Sequence, residues 1–222
     1  MIERGIYLML FEKNNALLMI GDSITDCGRG RPVGEGEGLG SGYVNFISAI
    51  LISKFPRENI KVLNTGISGD TVRHLKARWQ TDVLDLSPDY LSVMIGVNDV
   101  WRKFDSPNNP EMAVGLEEYE ATYRGFISQT KDKVKKIILL TPFLAETDKT
   151  EPMMALLSQY IEPVKKIAAD NRLLLVDMQS EFDRYISDGI GPKALAGDKV
   201  HPSQIGSMAI AKAFLKTCGV DI

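Results

Sequence analysis

Short apolar runs alternate along the chain with longer segments of helical periodicity. The apolar runs occupy residues 16–20, 60–63, 90–95, 137–141 and 173–176. Each run is nearly continuous in apolar character, and most are followed by Gly, Asn, Pro or Asp. Short, continuous apolar runs bounded in this way are typical of strands buried on both faces of a parallel sheet.

The segments between these runs carry apolar residues at helical spacing. The first such face comprises Val72, Leu75, Trp79, Val83 and Leu86, and the second comprises Ile161, Val164, Ile167 and Ala168. A last helix, after Pro202, carries Ile205, Met208, Ala209, Ala211, Ala213 and Leu215. Repeated strand-helix alternation predicts an α/β fold: a flavodoxin-like α/β/α sandwich with a five-stranded parallel sheet. Because no linker or internal repeat interrupts it, we expect residues 1–222 to form a single domain.

A glycine-rich segment, residues 28–42, interrupts this regularity. It reads GRGRPVGEGEGLGSG and matches neither glycine-rich phosphate-binding pattern. Glu35 and Glu37 would also repel a phosphate. We expect a mobile surface loop near the end of the first strand, and the alternative is a loop that borders the substrate site or an oligomer contact.

Polar groups suited to acyl transfer follow the predicted strands. Ligands of open parallel sheets bind beyond the carboxyl ends of the strands. The segments found there are residues 21–25, 64–70, 96–99 and 142–143, with residues 198–202 following the fifth strand after a helical stretch. The sequence therefore predicts that these segments meet at one edge of the sheet.

Ser23 is the candidate nucleophile among these groups, and it needs a base to take its proton. The chain has two histidines, and His74 lies within a helical pattern of polar and basic residues, which favours a surface position. His201 lies in a loop, three residues after Asp198, whose carboxylate can reach back and orient the imidazole. We predict the catalytic set Ser23, His201 and Asp198.

The tetrahedral intermediate of acyl transfer needs hydrogen-bond donors aimed at its oxyanion. The candidates are the Ser23 N–H, the Gly69 N–H and the Asn98 side-chain amide. Asp22 and Asp99 neighbour the site and are expected to stabilise turns. A metal site needs at least three convergent ligands, and with one suitable histidine we expect neither a metal nor a cofactor.

Composition and charge narrow the possible partners. The chain is 44% hydrophobic and 25% charged, as in ordinary globular proteins, and its net charge of −3 argues against a nucleic-acid partner. Cys27 and Cys218 lack any zinc-ligand spacing, and free thiols are favoured over a disulfide. The N-terminal residues 1–23 do not resemble a signal peptide, and no run has the roughly 18 apolar residues of a membrane span. We expect a cytoplasmic protein without membrane contact.

Four sequence blocks resemble those of the SGNH hydrolases, also called GDSL esterases and lipases. They are residues 21–25 (Gly-Asp-Ser-Ile-Thr), Gly69 in Ile-Ser-Gly-Asp, residues 96–99 (Gly-Val-Asn-Asp) and residues 198–202 (Asp-Lys-Val-His-Pro). The resemblance spans nearly the whole chain. It implies the flavodoxin-like sandwich, Ser23 as nucleophile, His201 as base, Asp198 as its partner, and an oxyanion hole of Ser23, Gly69 and Asn98.

A narrower resemblance is to the intracellular bacterial acetylxylan esterases of this superfamily. It rests on residues 21–29, 72–79 and 95–102. It implies removal of acetyl groups from xylo-oligosaccharides and a homo-oligomer. An aromatic residue often precedes the catalytic aspartate in that group, and this chain has Gly197 there.

The leading functional hypothesis is therefore a carbohydrate acetyl esterase. Trp101 could stack on a sugar ring or simply pack against the sandwich. The alternatives are a lysophospholipase or thioesterase that acts on longer acyl chains with the same catalytic residues, and a non-catalytic binding module on an esterase fold.

Overall fold

The central sheet has five strands, all parallel, in the order β2-β1-β3-β4-β5. The computed structural model describes residues 9–222. The strands are β1 Ala16–Gly21, β2 Lys61–Asn64, β3 Tyr90–Met94, β4 Lys136–Leu140 and β5 Leu174–Val176. All five predicted strands are confirmed to within one residue at each end, and the predicted flavodoxin-like order is also confirmed.

Nine α-helices lie among the described residues. They are α1 Ser23–Asp26, α2 Tyr43–Lys54, α3 Val72–Trp79, α4 Val97–Asp105, α5 Leu116–Thr130, α6 Pro152–Asn171, α7 Met178–Ser187, α8 Pro192–Leu195 and α9 Gln204–Thr217. Helices α2 and α9 pack together on one side of the sheet. In the other layer, α3 packs against α5, and α5 packs against α6. This is the predicted α/β/α sandwich.

The core explains the apolar runs of the sequence. Residues 17–20 of β1 are fully buried, as are Leu91 and Val93 of β3 and the last three residues of β4. A central parallel strand is covered by helices on both faces, so both of its side-chain rows must be apolar. One hydrophobic cluster joins the sheet to both helix layers.

The predicted helical faces need two corrections. Helix α3 ends at Trp79, and a π-helical turn, Gln80–Leu84, follows it. The Asp85 N–H donates to the Gln80 carbonyl (2.8 Å), so the helical spacing is lost there and Leu86 lies beyond the helix. In α9, Ile205 is exposed rather than packed on the sheet. The face of Ile161, Val164, Ile167 and Ala168 is buried, as predicted.

The N-terminal residues 1–8 belong to the predicted domain of residues 1–222 and to the segment that does not resemble a signal peptide, and they lie outside the described residues. No helix among residues 9–222 has both the length and the apolar character needed to cross a membrane.

Candidate active site

The predicted nucleophile lies at the carboxyl end of the central strand β1. β1 ends at Gly21, and Ser23 is the first residue of the short helix α1. The buried Asp22 side chain caps this helix by accepting a hydrogen bond from the Ile24 N–H (3.0 Å). A sharp strand-to-helix turn therefore presents Ser23, which is half-buried, at the edge of the sheet.

The structure brings Ser23, His201 and Asp198 together in one hydrogen-bonded chain. Ser23 Oγ lies 2.9 Å from His201 Nε2, and His201 Nδ1 lies 2.6 Å from Asp198 Oδ2. If Nδ1 carries its proton toward the carboxylate, Nε2 is free to accept the serine proton. The structure therefore places the three predicted residues within hydrogen-bonding distance of one another.

The Asp198 carboxylate is fixed by its own loop. Its Oδ1 accepts the backbone N–H groups of His201 (2.7 Å) and Val200 (3.0 Å). Partial burial opposes ionisation, but the hydrogen bonds from the His201 ring and these two amides outweigh it, so the pKa of Asp198 lies below its ordinary value. The group is thus ready to stabilise a positively charged imidazole.

The loop that carries Asp198 and His201 is anchored at both ends. An isolated antiparallel bridge joins Ala196 to Pro202, and the Ala145 N–H donates to the Lys199 carbonyl (2.8 Å). Ser203 then caps α9 through the amides of Ile205 and Gly206. The imidazole is held in place while 45% of its side-chain surface stays exposed, so that it remains accessible to a substrate.

The three predicted oxyanion donors follow three neighbouring strands: Ser23 begins α1 after β1, Gly69 lies in the loop between β2 and α3, and Asn98 is the second residue of α4 after β3. Gly69 adopts φ +86°, a conformation that favours glycine. None of the hydrogen bonds within residues 9–222 uses the N–H of Ser23 or Gly69. The Asn98 Nδ2 donates one N–H to the Asp70 carbonyl (3.0 Å), which ties α4 to the Gly69 loop and leaves the second N–H free. Arg102 Nη2 lies 3.5 Å from Asn98 Oδ1 and helps to orient the amide.

Trp101 lies beside the predicted base. Its ring centroid is 5.7 Å from that of His201, with the planes tilted by 56°, and the half-buried indole also packs on the hydrophobic core. Both interpretations of Trp101 are compatible with this position. His74 is exposed on α3 and takes part in the capping box of that helix with Thr71, as expected for a surface residue.

Two buried carboxyl groups, those of Asp22 and Asp99, lie next to the site residues Ser23 and Asn98 in the sequence. Asp99 Oδ1 accepts the Val72 N–H (3.1 Å) at the start of α3, and its buried Oδ2 has no partner among the described residues. Burial raises the pKa of both Asp22 and Asp99 to about 7. Asp22 stabilises the turn at Ser23, as expected. Asp99 was expected to stabilise the turn in which it lies, but its side chain instead accepts a hydrogen bond from the first turn of α3.

The glycine-rich segment, residues 28–42, was expected to be a mobile surface loop, but the structure anchors it by several contacts. It contains a 3₁₀ turn, Gly36–Leu39, whose Leu39 is buried, and Gly34 bridges to Asn64 of β2. Arg29 is only 5% exposed and donates to three backbone carbonyls. Sequence reasoning missed this role, although an arginine pair among glycines was a visible signal.

The remaining sequence expectations concern thiols and metals. Cys27 and Cys218 are both free. Among residues 9–222, no group of three or more His, Cys, Asp and Glu side chains is placed to hold a metal ion. The chemistry available at this edge of the sheet is that of a serine hydroxyl, an imidazole, a carboxylate and amide donors, which together can perform acyl transfer.

Comparisons with known proteins agree with this chemistry. The model of the GDSL-like lipase/acylhydrolase family matches residues 19–209. An acetylxylan esterase from Geobacillus stearothermophilus is 50% identical over 207 residues, which are 92% of this chain and 94% of that protein.

Solved structures give the same result. A crystal structure of Axe2, the acetylxylan esterase from Geobacillus stearothermophilus, superimposes with a TM-score of 0.93 at 48% identity, covering 96% of this chain and 98% of the other. Further structures of that enzyme are described as catalytic mutants in which a histidine, a serine or an aspartate is replaced by alanine. LAE5, described as an alpha/beta hydrolase enzyme from the metagenome of Lake Arreo, matches with a TM-score of 0.91 at 43% identity over 95% of this chain and 98% of that one.

The family match covers most of the chain and includes all the candidate site residues, from Ser23 to His201. The chain belongs to the GDSL-like lipase/acylhydrolase family and is a carboxylic ester hydrolase.

Proposed function

We propose that the protein is a serine esterase that removes acetyl groups from xylo-oligosaccharides or similar acetylated sugars. The observation that carries the proposal is the hydrogen-bonded chain from Ser23 Oγ through His201 to Asp198, in a chain that is 50% identical to an acetylxylan esterase over nearly its full length. No residue of this set is replaced or displaced, which supports an active enzyme rather than a binding module.

The reaction follows from the geometry. Ser23 Oγ attacks the acetyl carbonyl carbon while His201 Nε2 takes the hydroxyl proton, and Asp198 stabilises the resulting imidazolium. The carbonyl oxygen becomes an oxyanion that the N–H groups of Ser23 and Gly69 and the Asn98 amide can stabilise. His201 then gives its proton to the departing sugar oxygen. In the second half, water attacks the acetyl-serine with His201 again as base, which releases acetate and restores Ser23.

Trp101 is the proposed sugar-binding residue. Its ring lies next to His201 on a half-exposed surface, and an aromatic face can stack on the apolar face of a pyranose. The leaving sugar must pass His201, since the imidazole protonates it, so a ring packed beside the imidazole is suitably placed.

The first test is Ser23→Ala. Loss of the nucleophile should lower kcat/KM for 4-nitrophenyl acetate by about 10³-fold or more, as for other catalytic serines. Ser53→Ala, an exposed serine of α2, is the matched control and should retain activity. Near-wild-type hydrolysis by Ser23→Ala would show that another group is the nucleophile.

The second measurement addresses the substrate. Mass spectrometry should show complete deacetylation of acetylated xylo-oligosaccharides, and activity on nitrophenyl esters should fall from acetate to octanoate. Activity that rises with acyl length would instead support the lysophospholipase or thioesterase alternative.

We also propose a single domain, a homo-oligomer and a cytoplasmic location. One continuous core supports the single domain. The resemblance to oligomeric acetylxylan esterases supports the homo-oligomer. So do two exposed apolar side chains, Phe104 in α4 and Met112 in the neighbouring 3₁₀ helix, Pro110–Met112. The two free thiols support a reducing compartment.

A further inference from the structure

The loop that carries Gly69 lacks regular secondary structure, yet an oxyanion donor must be placed accurately. The loop runs from the end of β2 to the start of α3. Its backbone is held by the Ile67 N–H, which donates to the Gly21 carbonyl (3.0 Å), and by the Gly66 N–H, which donates to Asn64 Oδ1 (2.9 Å). These two contacts hold residues 66 and 67 in place. They do not involve Ser68, the residue that is bonded to the Gly69 nitrogen.

Ser68 is held instead by the buried carboxylate of Asp26. Asp26 Oδ2 accepts both the Ser68 N–H (2.9 Å) and the Ser68 hydroxyl (3.0 Å). Asp26 is the last residue of α1, the short helix that begins with Ser23, and it is 3% exposed. One oxygen atom therefore connects the helix of the nucleophile to the residue that precedes the oxyanion donor.

Arg31 completes this connection from the glycine-rich segment. Its Nη2 donates to the same Asp26 Oδ2 (2.7 Å), and its Nη1 lies 3.4 Å from the Gly66 carbonyl. Arg29 donates to that carbonyl from the same segment (2.7 Å). Burial alone would oppose ionisation of Asp26, but Arg31 and the Ser68 donors outweigh it and keep the pKa of this carboxyl below its ordinary value.

We propose that Asp26 and Arg31 are positioning residues that hold the Gly69 N–H in the oxyanion hole, through Ser68. This inference rests on the proposed roles of Ser23 and Gly69. The cation keeps the carboxylate charged, the charged carboxylate holds Ser68 at two atoms, and the Ser68–Gly69 peptide is thereby kept at a set distance from Ser23. The glycine-rich segment thereby stabilises the loop that carries Gly69.

The position of Arg31 allows a clean test, because its side chain is 51% exposed and its removal leaves no cavity in the core. Arg31→Ala should lower kcat for 4-nitrophenyl acetate by about 10- to 100-fold with KM changed less than about threefold, since a misplaced donor weakens only the transition state. Arg31→Lys keeps the charge and should recover several-fold of the loss. Ser68→Ala, which removes the hydroxyl contact but keeps the N–H contact, should lose about three- to tenfold.

The matched control is Lys61→Ala. Lys61 forms an ion pair with Glu35 (2.5 Å) that also ties the glycine-rich segment to the sheet, but it does not involve residues 66–69. Lys61→Ala should have wild-type kcat. The rate of inactivation by diethyl 4-nitrophenyl phosphate, whose phosphoryl oxygen occupies the oxyanion hole, should fall in parallel with kcat in the Arg31 and Ser68 variants.

Three results would overturn the proposal: an unchanged kcat in Arg31→Ala, an effect confined to KM, which would mean that Arg31 contacts substrate, or an equal loss in Lys61→Ala. Should Arg31→Ala fail to fold, Ser68→Ala decides by the same kcat and phosphorylation criteria. These outcomes are separate from failure of the proposed function, which would appear as retained activity in Ser23→Ala.

Discussion

At the scale of single residues, the candidate active site combines partly exposed ionisable groups with buried ones. His201 and Asp198 each keep close to half of their side-chain surface exposed, whereas Asp22 and Asp99, their neighbours in the site, are buried. The sequence alone identified all four residues and already assigned Asp198 to the imidazole and Asp22 and Asp99 to turns; the structure adds the physical difference between these carboxyl groups. The difference lies in what each carboxyl contacts and how much water reaches it.

Asp99 allows a stability test of this distinction. Burial raises its pKa to about 7 in the folded protein, so between pH 4 and pH 7 the folded state keeps a proton that the unfolded state has released. Wild-type stability should therefore fall as pH rises through this window. Asp99→Asn, which cannot ionise, should gain on the order of 2–4 kcal/mol relative to wild type between pH 4 and pH 7.

Urea unfolding at a series of pH values measures this effect. Asp132→Asn, at an exposed aspartate, serves as the control and should follow the wild-type profile. Parallel stability curves for Asp99→Asn and wild type would contradict a protonated Asp99.

At the scale of elements, the junction between α3 and α5 shows how packing overrides periodicity. The Trp79 ring stacks on Phe126 of α5 (centroids 4.0 Å apart), and Trp79 Nε1 donates to Thr130 Oγ1 (3.0 Å). The helical apolar pattern continues to Leu86, but the chain leaves α-geometry after Trp79. The pattern predicted the buried face correctly and the end of the helix incorrectly, because apolar spacing reports which side chains are buried and carries no signal for the change to a π-helical turn.

Thr130→Val tests the contribution of this junction. The substitution preserves side-chain shape and leaves the buried indole N–H without an acceptor, so the free energy of unfolding should fall by about 1–3 kcal/mol. Combined with Trp79→Phe, which removes the donor, the valine should cost less than it does alone. Urea unfolding of the two single variants and the double variant gives the comparison, and strictly additive losses would show that the hydrogen bond contributes nothing.

At the scale of the whole molecule, a single sheet connects both helix layers, and the site residues come from loops far apart in sequence. The Ser23–His201 hydrogen bond joins positions 178 residues apart. Such a site is assembled only when the entire sheet is in place. This agrees with the proposal of a single domain.

A single domain should unfold in one cooperative transition. Trp79 lies in the core and Trp101 beside His201, so the variants Trp79→Phe and Trp101→Phe leave one fluorescent reporter in each region. Each reporter should give the same urea midpoint as far-UV circular dichroism of the same variant. An earlier transition seen only by Trp101 would contradict the single domain, and a monomer in sedimentation equilibrium would contradict the proposed oligomer.

The sequence by itself determined the fold class and the position of the candidate site. Because parallel strands are buried on both faces, their sequences consist of continuous apolar runs. The residues that follow these strands all lie at the carboxyl edge of the sheet. This logic identified Ser23, Gly69, Asn98, Asp198 and His201 before any distance was known. The motifs of the family made the same selection.

Only the tertiary structure decided the contacts that hold the site in place. Asp26 with Ser68 and Arg31, Asp99 with the start of α3, and Trp79 with Thr130 join residues whose spacing along the chain follows no period. The strand order likewise follows from no local signal, because the sequence of each strand does not specify which other strands it pairs with. Local patterns encode burial and turns, whereas a hydrogen bond between distant loops exists only after the core has placed both partners.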